Sequence, residues 1–165
     1  MNKEDAQGKE LERKLKTLSL NDHKAYFLIH ELGHTHYVQA EPLIEKYLSS
    51  PESQLRSIAL NVLVHHWGLK DYGPVCEKFL FDDPHLDVRS MGAMCLGTMY
   101  KHVPNKRILK MLASKVKDSE EEWMVRQTAY RSILRILNYP LSEMPPTTRE
   151  MDFDTEVNWT LINSL

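Results

Sequence analysis

The sequence predicts an all-α fold made of about four helix pairs, and three observations carry that reading. Apolar residues recur at helical spacing through most of the chain, and a short Arg-containing motif repeats at near-constant intervals. No stretch alternates apolar and polar residues as a half-buried strand would. With six glycines in 165 residues, a β-rich chain full of tight turns is also disfavoured.

The repeated motif is an aliphatic residue, Arg, two variable residues and a small residue. It reads Leu55-Arg56-Ser57-Ile58-Ala59, Val88-Arg89-Ser90-Met91-Gly92 and Val125-Arg126-Gln127-Thr128-Ala129. The arginines lie 33 and 37 residues apart. Ala25 lies 34 residues before Ala59, in a degenerate first copy where Asp22 takes the place of the Arg. Each copy opens an apolar stripe of helical period, such as Val88, Met91, Gly92, Cys95, Leu96 and Met99.

Taken in order, residues 10–16 are charged but place Leu11, Leu15 and Leu18 on one face, as a terminal capping helix would. Gly33 and Gly68 stand where helices should stop. Pro42 and Pro74 suit the first turns of shorter helices over 42–48 and 72–81, and a third covers 105–116. The turns Ser50-Pro51-Glu52, Asp82-Asp83-Pro84 and Asp118-Ser119-Glu120 supply N-cap oxygens and negative charge to the motif helices. Residues 140–146 read as a linker. Residues 154–165 read as a short helix with Val157, Leu161 and Leu165 on one side, either folded back or a mobile arm. The repeats fall at roughly 1–33, 40–68, 72–101 and 105–138, so 1–138 forms the repeat domain and 139–165 a linker and capping arm.

This pattern resembles the HEAT-repeat family, in particular the short HEAT-like repeats of phycobilisome lyases. The likeness rests on the Val/Leu-Arg-x-x-Ala/Gly motif after an Asp/Pro-rich turn. It rests also on Ile29-His30-Glu31-Leu32-Gly33 followed by Val38-Gln39-Ala40-Glu41-Pro42-Leu43-Ile44. The resemblance implies a right-handed α-solenoid with an inner face of second helices, and usually a binding role.

Composition narrows the function. Lys+Arg 21 against Asp+Glu 23 gives a net charge of −2, which excludes a globally basic nucleic-acid binder. Cys76 and Cys95 form no CxxC pair and lie in apolar helical surroundings. No apolar run approaches the roughly 18 residues of a membrane span, and the N-terminus lacks a secretory signal pattern, so a cytoplasmic protein is expected.

Several constellations bear on chemistry. His30-Glu31-Leu32-Gly33-His34 is a literal HExxH, which on one helix would set two imidazoles on zinc with Glu31 as general base. The repeat register puts a turn near Gly33, so that His34 need not stack over His30. Tyr37 and Ala40 stand where a longer zinc motif needs Gly and His, and the match reads as accidental. His36 could complete an adventitious surface metal site. Arg56, Arg89 and Arg126 read as a structural ladder pairing with turn acids such as Asp82, Asp83 or Asp118; the competing reading is an anion-binding stripe. His65-His66-Trp67 reads as packing or capping at a helix end. No nucleophile elbow, phosphate loop or dinucleotide fingerprint is present.

Helical geometry places Ser57, Asn61, Val64, Ser90, Met94, Gln127, Arg131 and Leu134 opposite the buried stripe, as the expected partner-binding face. The reading is a non-catalytic scaffold that binds a protein on its concave face, as an adaptor, inhibitor or toxin-neutralising partner, with no cofactor and no membrane or nucleic-acid partner. The alternatives are a subunit of a tetrapyrrole lyase-type enzyme and a zinc hydrolase using His30, Glu31 and His34.

Overall fold

A computed structural model describes residues 3–165, and every regular element among them is helical. No helix of the described residues is long and apolar enough to cross a membrane. The chain divides into two units, one up to Pro74 and one from Val75 onward.

In the first unit, α1 (Lys3–Leu15) packs on α2 (Lys24–Thr35). Leu15 is fully buried, while Leu11 and Leu18 are half-buried. Asp22 Oδ1 accepts the Lys24 N–H at 2.9 Å and ties off the start of α2, which buries Ala25, Ile29 and Leu32 at helical spacing. α3 (Glu41–Lys46) carries Pro42 in its first turn, as expected. α4 (Ser53–Leu60) runs without a break into a π turn over Asn61–His66 and stops at Gly68, whose φ of 69° suits glycine.

The π turn has a consequence for the predicted stripe. With its i→i+5 bonds it takes more residues per turn, so successive side chains are rotated less than in an α-helix. Val62, Leu63 and Val64 are therefore all buried in succession. Val64 was expected on the solvent side and is only 2% exposed.

The second unit holds α5 (Gly73–Asp82, from Val75 onward), α6 (Leu86–Met99), α7 (Lys106–Lys117), α8 (Trp123–Ile136) and the short α9 (Trp159–Ser164). α8 packs against both α6 and α7. Gly92 explains the small residue of the motif: a Cβ there would stand 2.7 Å from the Cys76 carbonyl oxygen and 2.8 Å from the Leu80 nitrogen. Backbone, not side chain, fills that space, so α5 and α6 approach as closely as they do only over a glycine.

The turns before the motif helices share one geometry, though not the one expected. The N-cap residues Glu52, His85 and Glu122 make no side-chain cap bond. Instead Ser50 Oγ, Asp83 Oδ1 and Asp118 Oδ1 each accept the N–H two residues on, at 3.0, 2.9 and 3.1 Å. These are side-chain-closed turns; the first two end on the N-cap residue itself, and the third closes at Glu120, two residues before the N-cap Glu122.

The C-terminal arm is docked on α8. Gln127 Nε2 donates to the carbonyls of Pro146 and Arg149 at 2.6 and 3.1 Å, and its Oε1 accepts the Met151 N–H at 2.8 Å. Arg131 donates to the Pro145 carbonyl, and the Asn158 N–H bonds the Tyr130 hydroxyl at 3.0 Å. Met151, Val157 and Ile162 are buried. The expected helix over 154–165 is shorter, because Asp152 accepts from the Asp154 N–H and the Thr155 hydroxyl and so closes a turn there.

Candidate functional site

Two surfaces of the first unit gather chemistry. The first is a histidine cluster. α2 continues past Gly33 to Thr35, and His36 takes the left-handed position at its end with φ 51°. The turn expected at Gly33 is therefore displaced by two residues, and His34 does stack above His30. Gly33 serves close approach instead: a Cβ there would meet Val62 Cγ2 at 2.9 Å and His66 Cγ at 3.3 Å. That approach brings the π turn against α2 and sets three imidazoles together. His30 and His34 have Nε2 atoms 3.3 Å apart, and the His66 ring centre lies 4.9 Å from that of His34 and 6.5 Å from that of His30. His65 stacks edge-on against His66 at 5.7 Å. Burial pushes the His66 imidazole below its ordinary value, and His34, His65, His30 and His36 add to the shift. Among the described residues no group of three or more His, Cys, Asp or Glu side chains is arranged to hold a metal ion.

The second surface is an open groove of about 480 Å³ lined by Leu18, Phe27 and Leu28, with Lys14, His23 and Lys24 at its edge. Phe27 is 72% exposed and meets Tyr26 edge-to-face at 5.6 Å. The sequence reading passed over this surface. Its signal was present in Ala25-Tyr26-Phe27-Leu28-Ile29, five apolar residues in a row, which exceeds what one buried stripe requires.

The face expected to bind a partner is only partly available. In the first unit Ser57 and Asn61 are half-buried and Val64 is buried. In the second, Ser90 and Met94 are half-buried, with the Ser90 hydroxyl 2.9 Å from that of Thr128. Gln127 and Leu134 are 4% and 2% exposed, contrary to the expected face. α8 lies against α6 and α7 and takes the arm on Gln127 and Arg131, so little of its surface is left open. Burial, with the nearby Arg135 charge, lowers the Arg131 guanidinium from its ordinary value.

The repeated arginines bind backbone before carboxylate. Arg56 Nη1 donates to the carbonyls of Ser50 and Pro51 at 2.9 and 3.0 Å. Arg89 Nη1 does the same to Asp83 and Pro84 at 3.0 and 3.1 Å. Arg126 departs from this, bonding the Val116 carbonyl and stacking over the Phe153 ring at 4.0 Å. Arg89 also pairs with Glu121, which sits between Arg89 and Lys115 at 2.8 Å from each. Nothing in the sequence spacing marks Glu121 apart from its neighbours Glu120 and Glu122.

A scan against protein-family models, a search of curated proteins and a search of solved structures each returned no match for this chain.

Proposed function

We propose that this chain is a non-catalytic protein-interaction module, built as a right-handed solenoid of HEAT-like helix pairs, and that it takes its partner at the groove beside Phe27. The repeat reading is supported by the arginine hook, which joins guanidinium to the same two turn carbonyls at Arg56 and Arg89. The observation that carries the binding role is Phe27, a large aromatic side chain 72% exposed on a helix whose other face is core. Apolar walls next to ammonium groups suit a partner segment that offers an aliphatic or aromatic anchor flanked by carboxylates. This moves the binding surface from the predicted face, where Val64, Gln127 and Leu134 are buried.

The test is a pull-down from native lysate using wild type, Phe27→Ser and a charge-introducing Asn61→Asp/Met94→Lys variant as baits. One stoichiometric partner retained by the Asn61/Met94 variant and lost with Phe27→Ser is the expected result. A partner indifferent to Phe27 overturns the groove assignment. No partner in the micromolar range overturns the module reading itself.

A further inference from the structure

Five of the eight histidines fall within residues 30–36 and 65–66, and the groove beside Phe27 makes no use of them. His30 and His34 are one helical turn apart on α2, and their Nε2 atoms are 3.3 Å apart. Two arrangements produce such a separation. One is a hydrogen bond from the N–H of one imidazole to the lone pair of the other. The second is the bite of a metal ion: two nitrogens each about 2.0–2.1 Å from a tetrahedral zinc stand about 3.3–3.4 Å from one another.

The geometry points to His30 Nε2 and His34 Nε2 as a two-nitrogen half-site for a divalent transition-metal ion of the zinc, nickel or copper class, with its remaining positions open to water. Imidazole nitrogens select this class over magnesium or calcium, which prefer oxygen. Glu31 supplies an independent observation. Its Oε1 lies 3.6 Å from His30 Nδ1, the ring nitrogen away from His34. A carboxylate on that side favours the proton on Nδ1 and leaves the Nε2 lone pair directed at the shared point, as outer-shell carboxylates do for metal-bound histidines. The same placement separates this half-site from a zinc hydrolase. Glu31 faces the far nitrogen and does not stand over the point between the two Nε2 atoms, where a metal-bound water would be activated.

The half-site is also accessible. The His30 and Glu31 side chains are about half exposed, and His34 is exposed. His66 is the nearest further imidazole, yet no third ligand is in place among the described residues. Two ligands predict a reversible site of modest affinity, not a structural one.

The experiment titrates the full chain, freed of metal by chelator dialysis, with zinc chloride by calorimetry, and repeats it for His30→Gln, His34→Gln, His65→Gln and Glu31→Gln. One zinc per chain is expected. Affinity should fall about tenfold or more in His30→Gln and in His34→Gln, and stay at the wild-type level in His65→Gln. Glu31→Gln should weaken binding without abolishing it. Unchanged circular dichroism and melting temperature without metal confirm that these exposed variants fold. A zinc-dependent rise in melting temperature, lost in the same two variants, is the second readout. No zinc uptake up to about 1 mM, where binding free energies fall to about −4 kcal/mol, overturns the site. Binding that survives both His30→Gln and His34→Gln overturns it equally, and leaves the 3.3 Å contact as a hydrogen bond.

Discussion

Arg89 closes a forked ion pair on Glu121, with Nη2 2.8 Å and Nε 3.1 Å from the same carboxylate oxygen, across 32 residues of chain. Lys115 Nζ takes the other oxygen at 2.8 Å. All three side chains are largely buried, Glu121 to 5% exposure. Two cations therefore depend on one carboxylate, and Lys115 has in addition the Phe81 ring face at 5.0 Å. Glu121→Gln would leave both cations poorly compensated in a region of low polarity. We expect a loss of about 3–5 kcal/mol, the range for removing one member of a buried ion pair. Glu120→Gln on the same turn is exposed and should change stability by no more than about 0.5 kcal/mol. Urea denaturation of the two variants measures the contrast.

The same carboxylate predicts an acid dependence. Burial alone would raise Glu121, but the hydrogen bonds from Arg89, Lys115 and the Glu122 N–H outweigh it and hold the carboxyl below its ordinary value of 4.5. A carboxyl depressed in the folded state is protonated first in the unfolded chain as the pH falls. Its stabilising contribution is thus complete above about pH 4.5 and is lost progressively below that, through the lower folded-state value. The gap in unfolding free energy between wild type and Glu121→Gln should be constant near neutrality and narrow below pH 4.5. A gap independent of pH would show that the carboxylate charge is not what stabilises the turn.

Gly92 offers a test of close packing. Alanine there presses its methyl group onto the Cys76 carbonyl and the Leu80 nitrogen, and backbone of a packed helix cannot rotate away. Gly92→Ala should destabilise by about 1–3 kcal/mol, as overpacking does. Gly68→Ala is the contrast, since nothing lies within 4 Å of its Cβ and only its φ of 69° is costly. About 1–2 kcal/mol is expected there, from backbone strain alone. The two mechanisms separate if a further step to Leu, which has no β-branch to add strain at positive φ, worsens Gly92 much more than Gly68.

The helices were legible from the apolar period and the recurring Arg, because both reflect contacts repeated at fixed spacing. The prolines at positions 42 and 74 and the stop at Gly68 were readable for the same local reason. What the sequence hid was non-local. The π turn at Asn61–His66 keeps a helical pattern of residues while rotating Val64 inward, and only the packed unit reveals it. Gln127 looks like a solvent residue of a helix until the arm from Pro146 to Met151 wraps its amide. Gly33 reads as a helix stop, yet its use is to admit His66 against α2. The candidate site was thus visible as a set of histidines, while their convergence depended on one missing Cβ.

The docked arm gives the last prediction. Three hydrogen bonds from one side chain, Gln127, span Pro146, Arg149 and Met151. Within the arm, Arg149 holds Glu156 by paired contacts at 2.8 Å, which lower that carboxyl to about 2. That internal pin stays ionised through mild acid, so pH is a poor lever for releasing the arm, and Gln127 is the better one. Gln127→Ala removes the two amide donors and the acceptor at once, leaving the Met151 N–H buried without its partner. Hydrogen exchange at Met151 and tryptic cleavage after Arg149 should both accelerate, while amides in the middle of α6 keep wild-type protection. Accelerated exchange throughout α6 and α8 would instead mean that the arm is integral to the second unit's core, and that Gln127 cannot free the α8 surface without unfolding what lies beneath it.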